Sequence, residues 1–598
     1  MPRPSRAAQS RLSAPPSGCG AEYRGHRRAG GLAPSSPPSR IGRGAGGVGS
    51  LVLALALLVA CGAPKQPAPA ANAAAGAPAV APAAPGAASG MVQTAPVSKG
   101  GGTLVVASTA ANIPQSDQCP TEGAEGFRFV GYQLFDALTS WDLTRSDVLS
   151  PLVPGLAESW DVSPSDPTNW TFHLRKDVRF HDGTPFNADA VVFALDRVMN
   201  KNAPQYSELQ AACSASYTAP IRDYAKADDY TVRIGTKAPY SFLLYSLSSI
   251  LIPSPTAVMK EGTDQFMNNP VGTGPFKFVR QVERQYIEMD ANPDYFRGRP
   301  KLDKLIVRPI PEPASRLAAL RSGEVQWAEV TPPESIKPLE NDGYQVMLNP
   351  YPQVWSWIVN MQAKPWDDKR VRQAANYAIN REALCRDLLS GACTPASQFM
   401  FEGHPWYSPD VGYHYDPDKA RQLLAEAGYP NGFKTVAVVP SSGSGNMWPQ
   451  PMNEYVQRNL REVGIDVELR PIEWNTMRTT YRAGFTDPTV GAYQYAWTTQ
   501  SPEWIARFIL STSKPPAGLN PGGYANPDVD NLMAQAMATF DQKQQDELVR
   551  QALHQVTEDA PWIWIVHDLN LRVLSPQVKG FVQPKAWYAD IADMSVEK

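Results

Sequence analysis

The rhythm of apolar and polar positions changes along the chain, and the change divides it. Gly102-Thr103-Leu104-Val105-Val106-Ala107 is a nearly unbroken apolar run, the pattern of a strand covered on both faces. Farther on, Trp170, Phe172 and Leu174 alternate with Thr171, His173 and Arg175, and Tyr230, Val232 and Ile234 alternate with Thr231, Arg233 and Gly235. Such alternation predicts half-exposed antiparallel strands. His181-Asp182-Gly183 supplies a turn, and Asn187 is placed to cap a helix running to about Asn200.

The later half keeps a different pattern. Asp416-Pro417 opens a helix whose Ala420, Leu423, Leu424 and Ala427 share one face, with Gly428 and Pro430 closing it. Lys434 to Val439 reads as a buried strand. A helix follows with Met452, Tyr455, Val456, Leu460 and Val463 on one side, and Gly464 stops it. Ile465, Val467 and Leu469 then alternate with Asp466, Glu468 and Arg470. Strand, helix and strand with short joints predict a βαβ unit with parallel pairing. Asn526-Pro527 starts another amphipathic helix, with Val529, Leu532, Met533, Met537 and Phe540 inward. The body is therefore α/β, antiparallel early and βαβ late.

The first hundred residues are unlike this body. Residues 1–50 are rich in Arg, Gly, Ser and Pro and carry no apolar periodicity. Leu51 to Ala60 is an apolar run about half the length that crosses a bilayer core, and it follows Arg40 and Arg43, as a secretory signal h-region does. Leu58-Val59-Ala60-Cys61-Gly62 resembles a bacterial lipobox, which implies that Cys61 receives lipid and becomes the new N-terminus. Residues 1–60 thus read as a leader and lipoprotein signal segment. Residues 61–99 read as an Ala/Pro-rich flexible tether. The expectation is an exported protein, lipid-anchored at the outer face of the cytoplasmic membrane, in a periplasm or on a cell surface.

Composition narrows the class. The 598 residues carry a net charge of −3, and residues 1–60 hold eight arginines against one glutamate, so the remainder carries −10. That balance argues against nucleic acid as a partner. Four cysteines remain once Cys19 and Cys61 are set aside: Cys119, Cys213, Cys385 and Cys393. In an exported protein they permit two disulfides in three pairings, or four buried thiols. The closeness of Cys385 and Cys393 favours that pair, with Cys119 and Cys213 as the second. No HExxH, GxSxG or P-loop occurs, and no Cys/His cluster has zinc spacing. Neither a catalytic residue, nor a metal, nor a cofactor is expected.

Leu156-Ala157-Glu158-Ser159-Trp160 and the run from Thr171 to Phe186 (TFHLRKDVRFHDGTPF) closely resemble the extracellular solute-binding proteins of family 5. These are the oligopeptide-, dipeptide- and nickel-binding receptors of ABC importers. The likeness continues through Asn187 to Phe193, Pro270 to Phe276, Asn292 to Phe296, Arg316 to Glu324, Arg370 to Ala374 and Tyr524 to Asp530. It covers roughly residues 100–598 in order. The resemblance implies an α/β fold of two lobes, periplasmic-binding-protein-like of type II in its large cluster C form, with an antiparallel-rich subdomain in the first lobe. Lobe I would span 100–355 and lobe II 356–560, with 561–598 returning to lobe I. The crossings match the stretches around Trp357 to Asn360 and Trp562 to Ile565. The implied partners are a small-molecule or peptide ligand and an ABC permease of two transmembrane subunits with ATPase subunits, and the receptor itself is a monomer.

The resemblance also supplies candidate ligand contacts. Peptide-binding members carry a Trp-x-x-Asp stretch whose aspartate pairs with the peptide's α-ammonium. The matching segment here is Trp497-Thr498-Thr499-Gln500-Ser501-Pro502-Glu503, with Gln500 in the aspartate's place. A neutral amide cannot neutralise a buried ammonium. Either Glu503 substitutes from one turn away or the ligand lacks a free amine. Trp141, Trp355, Tyr493, Tyr495, Met447 and Trp448 lie near the family's inter-lobe segments and suit a peptide-like, glycoside or other amphipathic solute. Thr109 and Asn112 are carried over from family position alone. No histidine falls in these segments, which argues against nickel. The competing classes are a secreted hydrolase on a two-lobed scaffold and a signalling or chaperone receptor without transport.

Overall fold

The computed structural model describes residues 101–597 apart from 119 and 264. The expected signal segment, Cys61, the tether and Cys119 lie outside the described residues. Among those described, two large sheets and one smaller sheet carry the architecture.

The first large sheet has the order Gln345–Met347, Arg572–Leu574, Trp327–Glu329, Thr103–Ser108, Lys304–Pro309, Tyr286–Ala291, Phe276–Val282. Its central strand, Thr103–Ser108, runs parallel to both neighbours. Leu104 and Val106 are fully buried in the core shared with Leu305, Val307 and Trp327. This is why the run has no polar alternation. The four-stranded sheet, Ala157–Val162, Asn169–Leu174, Thr231–Thr236 and Ile221–Asp228, is antiparallel throughout. Trp170, Phe172, Leu174, Val232 and Ile234 share a core with Val191 and Leu195 of the helix Ala188–Met199. The Asn187 side chain caps that helix by accepting from the Ala190 N–H at 3.3 Å.

The second large sheet has the order Cys393–Pro395, Trp562–Asp568, Gln353–Val359, Val490–Thr498, Phe433–Pro440, Ile465–Ile472. Phe433–Pro440 pairs in parallel with Ile465–Ile472, and the helix Pro449–Glu462 joins them, so the βαβ unit forms as its pattern requires. Asp416 and Asn526 cap the helices Pro417–Glu426 and Pro527–Ala538. Cys385 and Cys393 are joined in a disulfide with Cα atoms 5.4 Å apart, at the start of the edge strand. Cys213 is also disulfide-bonded.

Trp357 to Val359 and Trp562 to Ile565 lie within strands of the second large sheet. Trp357 pairs with Ile563 and Ile358 with Trp562 in the middle of the second sheet. Trp355 and Trp357 face one core, whereas Val354 and Ile358 face another. A strand between two cores is apolar on both sides, and that pattern says nothing about which sheet it joins. The chain leaves the first sheet after Met347 and enters the second at Gln353; it leaves the second after Asp568 and rejoins the first at Arg572. The two linking segments lie side by side: the Asn349 N–H donates to the Leu569 carbonyl at 2.9 Å, and the Tyr351 hydroxyl donates to Asp568 at 2.8 Å. The second large sheet thus includes residues before 356 and past 560. No helix among the described residues is long and apolar enough to cross a membrane.

Candidate functional site

Between the two lobes lies a cavity of about 180 Å³. Its second-lobe wall comes from three neighbouring elements. The strand Val490–Thr498 points Tyr493, Tyr495 and Trp497 to one face, since alternate residues share a side. At the Tyr493 end that face is closed: Phe485 stacks on Tyr493 with centroids 4.1 Å apart, and the Tyr493 hydroxyl donates to the Gly484 carbonyl. At the other end the face opens, and Tyr495 and Trp497 line the cavity, stacked at 4.3 Å. The Trp497 indole N–H donates to the Tyr481 hydroxyl at 3.1 Å, which fixes the plane of this aromatic shelf.

The helix Trp474–Ala483 adds Trp474, Arg478 and Arg482, at intervals of four and so on one face. The helix Pro502–Ile509 adds Trp504 and Arg507. Glu503 lies behind Arg507, one turn earlier, with Oε1 2.5 Å from Nη2. Burial pushes the Glu503 carboxyl up and the Arg507 guanidinium pulls it back. Burial likewise works against the charge on Arg507, but Glu503 together with Tyr217 and Tyr240 outweighs it and holds that group above its ordinary value.

The first-lobe wall is built from Pro120, Gly123, Phe127, Tyr217 and, from the end of the chain, Trp587 and Tyr588. Trp587 is held firmly. Its carbonyl accepts from Arg572 at 2.7 Å and from Arg128 at 3.3 Å, and the Arg128 guanidinium lies 4.3 Å over its ring. Gly445 sits at φ +75°, and a Cβ there would come within 2.7 Å of the Gln353 amide, so only glycine lets this loop reach the cavity.

Contacts across the cavity join the lobes. The Asn475 amide donates to Glu122 at 2.7 Å, Arg478 donates to the Pro120 carbonyl at 3.3 Å, and the Trp587 N–H donates to Gln500 at 3.2 Å. The Arg507 guanidinium lies 3.6 Å over the Tyr217 ring. Burial raises the Glu122 carboxyl and lowers the Arg478 guanidinium.

Of the residues singled out in the sequence, Tyr495 and Trp497 line this cavity. Gln500 does not. It reaches back to Trp587 and, with Trp141, lines a second cleft of about 560 Å³ between Trp170 and Trp406. Glu503 is turned into the ion pair with Arg507. Tyr493 is closed off by Phe485. Trp355 is fully buried, its indole donating to the Asn446 carbonyl, and Met447 belongs to the same core, with Trp448 packed against it. Thr109 is buried and bonded through N–H and hydroxyl to Glu125. Asn112 accepts from the Ile113 and Arg284 N–H groups at the surface of its loop. The common physical reason is that position near an inter-lobe segment does not say which way a side chain points.

The cavity also uses residues the sequence reading did not raise: Tyr217, Trp474, Arg478, Arg482, Arg507 and Trp587. The spacing of Trp474, Arg478 and Arg482 was a usable signal. Tyr217 and Trp587 carried none, since only tertiary folding brings them together.

Comparison with known proteins fits this geometry. Residues 151–517 match the model of the bacterial extracellular solute-binding proteins, family 5. The glutathione-binding protein GsiB of Pectobacterium atrosepticum is 33% identical over 447 residues, covering 72% of this chain and 83% of that protein. The dipeptide-binding protein of Escherichia coli K12 is 30% identical over 529 residues, covering 83% and 97%. Among solved structures, the periplasmic binding protein DppA from Helicobacter pylori, in complex with the peptide STSA, superposes with a TM-score of 0.75 at 26% identity, covering 83% of this chain and 99% of that one. The chain belongs to the bacterial extracellular solute-binding proteins of family 5, which are binding receptors of ABC importers and not enzymes.

Proposed function

We propose that this receptor is tethered to the membrane through a lipid on Cys61, works as a monomer and captures a peptide-like, amphipathic solute in the cavity between its lobes. The observation that carries this reading is the Tyr495–Trp497 shelf, a flat apolar surface presented to a cavity whose walls come from both lobes. The glutathione- and dipeptide-binding relatives support the peptide-like class. The lipobox-like Leu58 to Gly62, followed by an Ala/Pro-rich tether, supports the anchor. The lobe exchange belongs at the paired segments 348–352 and 569–571.

The mechanism follows from the contacts. Asn475–Glu122, Arg478–Pro120 and Gln500–Trp587 hold the lobes together around the cavity. A solute touching both walls adds contacts only this arrangement can make, and by that difference it shifts the lobes toward closure. The permease then meets a surface made of both lobes. The hydrolase reading lacks support, since no His, Asp or Glu is among the described residues lining the cavity.

A thermal-shift panel of dipeptides, N-blocked peptides and glycosides tests the reading. A true ligand at a hundredfold excess over Kd stabilises the protein by about 2.7 kcal/mol. Trp497→Ala should abolish the shift, with a loss of affinity of about 30-fold or more. A full shift in that variant would place the ligand elsewhere.

A further inference from the structure

The cavity wall has an uneven hydrogen-bonding balance. Three buried donor atoms on its lining residues have no hydrogen-bond or ion-pair partner: Nε of Arg507 and the indole nitrogens of Trp474 and Trp587. Against them stands one unpartnered acceptor, Oε1 of Gln118, whose own amide nitrogen is committed to the Ala194 carbonyl at 2.9 Å. Buried polar groups are ordinarily paired, so unmet donors gathered in the wall of one cavity bear on what fills it.

Charge has the same sign. Arg478, Arg482 and Arg507 line the cavity, and no aspartate or glutamate does among the described residues. Two carboxylates stand behind the wall, each engaged through Oε1 and with Oε2 unpartnered: Glu503 against Arg507, and Glu122 under the Asn475 amide. Arg507 is 7% exposed, and its guanidinium face is covered by Tyr217 at 3.6 Å and Trp504 at 4.8 Å, so it is held in place before any ligand arrives. Glu503 holds Nη2 in an ion pair at 2.5 Å and leaves Nε without a hydrogen-bond partner. The Nε–H of a fixed guanidinium is a charge-assisted donor suited to a carboxylate oxygen.

Resting on the reading that this cavity is the solute site, we infer that the receptor selects an anionic solute with no free ammonium: an N-acylated peptide acid, its carboxylate on Arg507 and its flat apolar part on Trp497. The unpartnered Gln118 Oε1 suits one amide N–H of such a solute. An ammonium would meet three arginines and no carboxylate, and leaving it unpaired there is costly. Gln500, bound to Trp587, supplies no countercharge.

Calorimetric titration of the purified chain with four matched probes tests this: N-acetyl-Leu-Phe, its C-terminal amide, free Leu-Phe and Leu-Phe amide. The acetylated acid should bind at least tenfold more tightly than each of the others, the scale of a charge-assisted pair. In the double variant Glu503→Gln/Arg507→Gln, which removes both charges together, the acid should lose its tenfold advantage over its amide. A merely structural role for Arg507 would weaken both probes alike, and that outcome overturns the inference. So does equal binding of acid and amide, or a preference for free Leu-Phe; in both cases the cavity remains the solute site. If none of the four binds, the peptide-like reading itself fails and this inference falls with it.

Discussion

Buried arginines occur in two settings in this protein, and they behave differently. Arg316 and Arg381 are consumed by the fold. Arg316 donates to the carbonyls of Glu329, Val330, Ile310 and Pro311 at 2.5–2.8 Å. Arg381 donates to the Trp564, Ile379 and Tyr413 carbonyls and to Asn376. Burial, not offset by a carboxylate in contact, brings both down to about 10. Arg507 is nearly as enclosed, yet it has a contacting carboxylate and an Nε without a hydrogen-bond partner in the wall of a cavity. Satisfied guanidinium groups fasten loops to sheets; an unsatisfied one is a binding surface kept rigid by its neighbours.

The largest effect should come from the first setting. Arg381→Leu strips four acceptors of their donor inside the second lobe and should cost about 3–5 kcal/mol in denaturant unfolding. The double variant Glu503→Gln/Arg507→Gln should cost under about 1.5 kcal/mol, because replacing both members leaves no stranded charge. If its stability loss equalled that of Arg381→Leu, the two settings would not differ in kind.

Next in size is a pH effect in the first lobe. Burial pushes the Glu125 carboxyl up to about 7 from an ordinary 4.5, with Arg128 opposing and Glu329 adding to the rise. The folded protein therefore holds this proton more tightly than the unfolded chain. The stability it contributes is complete below pH 4.5 and is lost as pH rises to 7, by roughly 3 kcal/mol. Glu125→Gln stays neutral, so wild type minus variant stability should fall by about that amount between pH 4.5 and pH 8. Parallel curves for the two proteins would contradict this. The smallest effect belongs to Gln500→Ala, which removes one inter-lobe hydrogen bond worth about 1 kcal/mol and should weaken solute binding no more than about fivefold by calorimetry. A larger loss would make Gln500 a ligand contact.

Much of the fold was legible in the sequence because it rests on local rules. Asn187, Asp416 and Asn526 cap their helices, and the βαβ unit from Phe433 to Ile472 follows its periodicity. The sheet that Trp357 and Trp562 join was not legible, since each is apolar because it faces a core. The candidate site was half legible. Tyr495 and Trp497 follow from strand alternation, but the same alternation includes Tyr493, and only Phe485 decides that it is closed off. Glu503 and Arg507 stand one turn apart in the sequence, so their pairing could have been read. That Tyr217 would cover Arg507, and that the Trp587 N–H would donate to Gln500, is decided by chain segments far off in sequence.

The most direct measurement is a crystal structure of the protein with N-acetyl-Leu-Phe bound. The account requires the carboxylate within hydrogen-bond distance of Arg507 Nε and the peptide's apolar part on Trp497. A peptide seated instead in the cleft beside Trp141 and Trp406, or one with its carboxylate turned to solvent, would contradict it.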